Sequence, residues 1–165
     1  MTKFKFSKWL SSTGGPLIVM SKNAASLWRG IDDSPSDYDL ACQVSNYTEK
    51  LEVHNETVLV LGDEPLQTAI ATSEEKTAIV RWKWAPSEIA VHHAMENLDF
   101  ENLICIEDID IEWSDISLVV FDAAEKFCTG NSIKFKAGSK KNRILTLIHE
   151  PTPETSVLIH VIQSL

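Results

Sequence analysis

The sequence predicts an α+β fold, mostly antiparallel β-sheet built from hairpins, with about two α-helices. Short apolar runs recur along the chain with turn residues between them, a spacing that suits strands. Neighbouring runs are joined as sequential hairpins, which disfavours a doubly wound α/β arrangement. Helix-start chemistry interrupts this pattern at two places. The whole chain, 1–165, reads as a single domain without linker, repeat or low-complexity stretch. A chain of this length buries roughly 70% of its unfolded surface and needs no disulfide or metal to fold.

Gly14-Gly15 leads into a buried strand, Pro16 to Met20. The first helix is expected from Ser34 as N-cap, Pro35 at the first helical position and Asp37 at the third, with Tyr38, Ala41 and Cys42 at helical spacing. Leu51–Val53 and Thr57–Leu61 flank His54-Asn55-Glu56 as a hairpin, and Thr68–Ala71 and Thr77–Trp84 flank Ser73-Glu74-Glu75-Lys76 as another. In that last strand Trp82 and Trp84 share one face, read as core, and Arg81 and Lys83 share the other. The second helix starts near Pro86-Ser87-Glu88 and runs to about Leu98, with Val91, Met95 and Leu98 on one stripe and Asn97 at its end. Ile109, Ile111 and Trp113 alternate with Asp110 and Glu112, which gives a strand a core face and an acidic face. Leu118–Phe121, Ser132–Lys136, Arg143–His149 and Val157–Gln163 complete the strands. The prolines of Glu150-Pro151-Thr152-Pro153-Glu154 are expected to break the last pairing with a loop.

Charge is sorted into blocks. Residues 1–31 carry five bases and no acid, 32–83 carry 11 acids and four bases, and 126–165 carry six bases and two acids. From Trp84 to Glu125 there are 11 acids and neither Lys nor Arg. An acidic surface attracts a basic protein and speeds encounter with it. Binding to nucleic acid calls for the opposite sign and is not expected. The candidate contact acids are Asp32, Asp33, Asp37 and Asp39, then Asp63 and Glu64 after a strand end, then Asp108, Asp110 and Glu112. Gly62-Asp63-Glu64-Pro65 also has the chemistry of a plain turn.

Cys42, Cys105 and Cys128 are odd in number and widely spaced, which suits a reducing compartment and small buried thiols. The N-terminus turns polar after Trp9-Leu10, so no signal peptide is expected, and no apolar run is long enough to cross a membrane. The protein is expected to be soluble and cytoplasmic. His92 and Glu96 share a helical face, but a third metal ligand is missing from the motif and no H-E-x-x-H occurs. No P-loop, G-x-G-x-x-G or G-x-S-x-G is present. No metal, cofactor or catalytic residue is therefore expected.

Five motifs occur in order: Gly14-Gly15-Pro16-Leu17-Ile18, Trp28-Arg29-Gly30, Ser36-Asp37-Tyr38-Asp39 with Ala41-Cys42, Leu59 to Pro65, and Arg81-Trp82. Over about residues 9–98, with a looser match at Leu118 to Asp122, they resemble the immunity protein 21 family of bacterial polymorphic-toxin and contact-dependent competition systems. The resemblance implies a cytoplasmic protein that binds and neutralises a toxin domain, with no catalytic residues to carry over. Charge adds that the toxin is a basic one, such as a nuclease. Two other readings stay open: a hydrolytic enzyme built on Asp63, Glu64 and His92 or His93, and a scaffold or regulatory interaction module.

Overall fold

The computed structural model describes residues 3–62, 64–96 and 98–165. Strands β1 (Lys5–Phe6), β2 (Leu17–Ser21), β3 (Thr48–Val53), β4 (Glu56–Leu61), β5 (Gln67–Thr72) and β6 (Thr77–Trp84) come from the first half of the chain. They are followed by β7 (Cys105–Glu112), β8 (Ser117–Asp122), β9 (Ser132–Lys136), β10 (Lys141–Thr152) and β11 (Thr155–Ser164). Helices α1 (Asp37–Cys42) and α2 (Glu88–Glu96) interrupt them. The strands form two antiparallel sheets, one ordered β1-β5-β6-β11-β10-β7 (sheet A) and one ordered β3-β4-β2-β8-β9 (sheet B).

Inward side chains of both sheets make the main core. Ile70, Ile79, Ile111, Ile144 and Ile162 of sheet A meet Leu17, Val19, Leu59, Leu61, Leu118 and Val120 of sheet B. Each such burial contributes about 1.5–3 kcal/mol. Alternation is muted in β2, β4 and β8 because sheet B is covered on both faces, which calls for apolar residues in both registers. Its outer face, with Ile18, Met20, Val60 and Phe121, is roofed by Ala25, Trp28, Tyr38, Ala41 and Phe127. Trp28 Nε1 donates to the Ala123 carbonyl at 2.9 Å and pins that roof. On the outer face of sheet A, Val80, Val157 and Ile159 lie under Val91, Met95 and Leu98, with Phe4, Phe6 and Trp9 alongside.

The expected antiparallel, strand-dominated fold with two α-helices is present, and several details differ. Helix α1 is capped at Ser36, not Ser34: Ser36 Oγ accepts from Asp39 N, and the Asp39 carboxylate accepts from Ser36 N, both at 3.0 Å. Asp37 is drawn away from the cap, because it accepts from Arg29 N and pairs with His54. The prolines near 151 do not end the pairing early. Strand β10 continues to Thr152, and a register shift between His149 and Thr152 absorbs Pro151. Helix α2 is described over Glu88–Glu96; its expected end, Asn97, lies outside the described residues, and Leu98, no longer helical, packs in the same layer.

The faces of β6 are the reverse of a simple core-and-cation reading. Ile79 and Arg81 face the space between the sheets, and Arg81 is only 2% exposed. Trp82 belongs to the outer layer and packs edge-on to Trp9, while Trp84 is half-exposed at the strand end. The three thiols are exposed rather than buried. Cys42 ends α1, Cys105 opens β7, and Cys128 precedes the short helix Thr129–Asn131, so none reaches an interior position.

Candidate protein-binding surface

The early acidic group is consumed by the fold around it. Asp32 is bridged by Lys126 at 2.7 Å, which holds its carboxyl below the usual range. Asp33 pairs with Arg29 four residues earlier. Asp37 is nearly buried, accepting from Arg29 N and contacting His54 Nε2, each at 2.8 Å. Asp39 completes the capping box. Helix-start chemistry and local pairing thus explain why these residues are acidic.

Asp63 lies outside the described residues. Its neighbour Glu64 is exposed, and the Glu64 carbonyl accepts from Arg81 Nη2 at 2.6 Å. That bond fastens the β4–β5 loop to the inner face of sheet A. His92 stands on the other side of the sheet, stacked on Phe6 with ring centroids 4.2 Å apart and 3.6 Å from Glu88. A catalytic set combining Glu64 with His92 is therefore split by a sheet. Among the described residues, no group of three or more His, Cys, Asp or Glu side chains is arranged to hold a metal ion.

Family-like motifs that are distant in sequence meet at a cleft of about 210 Å³, lined by Gly14, Gly15, Tyr38, Cys42, Gly62 and Pro65 among others. Close packing accounts for its glycines. A Cβ on Gly15 would fall 2.5 Å from the Tyr38 hydroxyl, and one on Gly62 would fall 2.0 Å from the Asn46 carbonyl oxygen. A hydrogen bond with Cys42, with partial burial, raises the Tyr38 pKa. Asp122 anchors the glycine loop by accepting from Thr13 N at 2.8 Å and Thr13 Oγ1 at 2.9 Å.

The acids of β7 divide by face. Glu107 turns inward and accepts from Thr48 N and Thr48 Oγ1 at 2.7 Å and from Tyr47 N at 3.2 Å, joining sheet A to β3 of sheet B. Asp108, Asp110 and Glu112 turn outward on this edge strand, opposite Leu145, Arg143 and Lys141 of β10. Asp110 is bridged by Arg143 at 3.0 Å, which raises the arginine's pKa. Asp108 and Glu112 form no ion pair among the described residues.

Beside them, where the cover of α2 ends, the outer face of sheet A opens into a groove of about 470 Å³. Phe100, Leu103, Cys105, Leu145, Leu147 and Val161 supply its apolar and thiol lining, and Glu74 and Glu75 stand at its rim. Ile104, 79% exposed, and Ile106, 41% exposed, flank the groove residue Cys105 in the chain. The groove's lining comes from five separated stretches of chain, so no local pattern announces it. Two isoleucines just before the clean alternation of Ile109 to Trp113 were the available signal.

Fold and surface define a roofed β-sandwich with an apolar groove edged by carboxylates. The chain belongs to the immunity protein 21 family, whose family model matches residues 8–151. The match reaches past the motifs into β10 and takes in the groove's strands except β11. No curated protein and no solved structure matches the chain. No described helix is long and apolar enough to cross a membrane.

Proposed function

We propose that this protein neutralises a cognate toxin domain by one-to-one association in the cytoplasm, presenting an acidic surface to a basic toxin such as a nuclease. Family membership is the observation that carries this reading. The outward carboxylates of β7, with Glu74 and Glu75 on the same side of sheet A, support the electrostatic part. Asp108, Asp110 and Glu112 are the proposed contacts on this face; Glu64, on the loop fastened to the inner face of sheet A, and Asp63, next to it in the sequence, are proposed as a separate contact. Asp37 and Asp39 hold the roof of sheet B in shape, and Asp32 and Asp33, paired with Lys126 and Arg29 on the other face of the sandwich, are less available to the same partner. Inhibition needs no chemical step: an acidic surface competes with phosphate for a basic cleft.

The test is co-expression with the toxin domain encoded beside this gene in a sensitive host, followed by purification. Rescue of growth and a one-to-one complex are expected. Asp108→Lys with Glu112→Lys is expected to slow association about tenfold at low salt, with little effect at high salt. Absence of both rescue and complex, with both proteins folded, refutes the immunity reading. Unchanged association kinetics at low salt refute the electrostatic mechanism alone.

A further inference from the structure

We infer that the groove on the outer face of sheet A receives an apolar side chain projecting from a basic surface of the partner, so that this face is the docking site. The inference rests on the immunity reading above and adds a location and a partner chemistry to it. Three independent features meet there. The apolar outer face of sheet A is covered by α2 and the N-terminal segment, and at the end of that cover Leu145, Leu147 and Val161, which belong to the covered layer, form the floor of a groove of about 470 Å³. A volume of that order suits small-ligand clefts or one or two large side chains.

The second feature is a β-bulge. In the β7–β10 pairing Thr146 is opposite Glu107 and Leu147 is opposite Cys105, so Ile106 has no partner. Bulges of this kind re-aim a side chain at a sheet edge, and here the residue turned out is an isoleucine. With Ile104 it places two exposed apolar side chains next in the chain to the groove residue Cys105, apolar surface that a protein covers better than a small molecule does.

The third feature is charge. Glu74 and Glu75 are exposed at the rim, and Asp108 stands directly across the strand pair from Leu145 in the groove wall. Among the groove's lining residues two carboxylates stand against one cation, Lys76, which lies over the Phe100 ring at 5.1 Å. Lys3 and Lys5 lie beyond Glu74 and Glu75, and Arg143 is held by Asp110. The lining thus carries a net acidic charge on the side of Asp108. A second copy of the chain would set carboxylates against carboxylates, which opposes edge-to-edge pairing. A basic surface with a projecting Leu, Ile, Met or aromatic side chain satisfies both the groove and its rim.

Binding kinetics of the full-length protein against the toxin domain encoded beside this gene test the inference. Variants Ile104→Asp and Ile106→Asp alter exposed side chains and leave the core intact. Leu145→Lys alters the groove wall, with its folding checked by the melting curve. Ile31→Asp, on an exposed residue over sheet B, is the control. Each groove variant is expected to weaken binding at least tenfold, mostly through faster dissociation, and the control to stay within twofold. If wild type binds and protects while Ile104→Asp and Ile106→Asp stay within twofold, the groove is not the docking site and immunity stands. If wild type neither binds nor protects, the immunity reading falls and takes this inference with it.

Discussion

The two outer faces of the sandwich carry acidic groups that read alike in sequence and behave differently in the fold. Over sheet B, Asp37 and Asp39 turn back on the backbone and hold the roof together, while Asp32 and Asp33 are taken up by exposed ion pairs with Lys126 and Arg29. Over sheet A the cover is incomplete, and Asp108 and Glu112 project from an edge strand beside an open apolar groove. A cluster of acids is therefore not a surface until its hydrogen bonds are counted. Where backbone N–H groups and cations satisfy the oxygens, the acid is structural; where nothing does, it remains free for a partner.

Substitutions break or sharpen this contrast. The largest stability loss is expected for Asp37→Ala, which strands Arg29 N and His54 in a mostly buried position. Loss of a charged acceptor of two such bonds costs about 2 kcal/mol, read as a lower denaturation midpoint. A wild-type midpoint in Asp37→Ala makes the roof as dispensable as the free acids of β7.

A smaller effect, about 1 kcal/mol, concerns the space between the two faces. His160 is buried and bonded through Nδ1 to Thr146 Oγ1 at 2.9 Å. Burial, aided by nearby Arg81, pushes its pKa well below the ordinary value. The unfolded chain then binds the proton more readily, so stability is full above about pH 6.5 and falls as pH drops through that value. Denaturation at pH 6.5 and 5.5 is expected to show a loss of about 1 kcal/mol in wild type. His160→Leu is expected to flatten that slope whatever its absolute stability. An unchanged slope in the variant removes His160 from the account.

The smallest effect is expected for Asp110→Asn. Its pairing with Arg143 is solvent-exposed on both sides, and exposed pairs add little to stability. The melting temperature is expected to stay at the wild-type value, and a clear drop would show that β7 is held by its charges as the sheet B roof is.

Much of this architecture was legible in the chain. Local rules located most strands, the hairpins β3–β4 and β5–β6 and both helices, because period, turn residues and caps act over a few neighbours. The acidic side of β7 was legible too, from Asp110 and Glu112 alternating with isoleucines. The Ser36 cap was missed because Ser34-Pro35 imitates one, and only the pull of Arg29 N and His54 on Asp37 separates the two. The exposed thiols were missed because exposure depends on which element ends at each cysteine.

By itself, then, the sequence determined an antiparallel, strand-rich chain with two helices, an acidic middle and the ordered motifs of its family, all carried by residues close together in the chain. Tertiary structure alone decided that the strands split into two sheets, with β2 between β4 and β8 and β11 between β6 and β10. It also turned Arg81 and Glu107 inward, set Asp37 and Asp39 into the scaffold and Asp108 and Glu112 on the surface, and shaped a groove at the end of sheet A's cover. Those choices depend on long-range pairing and on which groups meet in space, and no local pattern of residues encodes them.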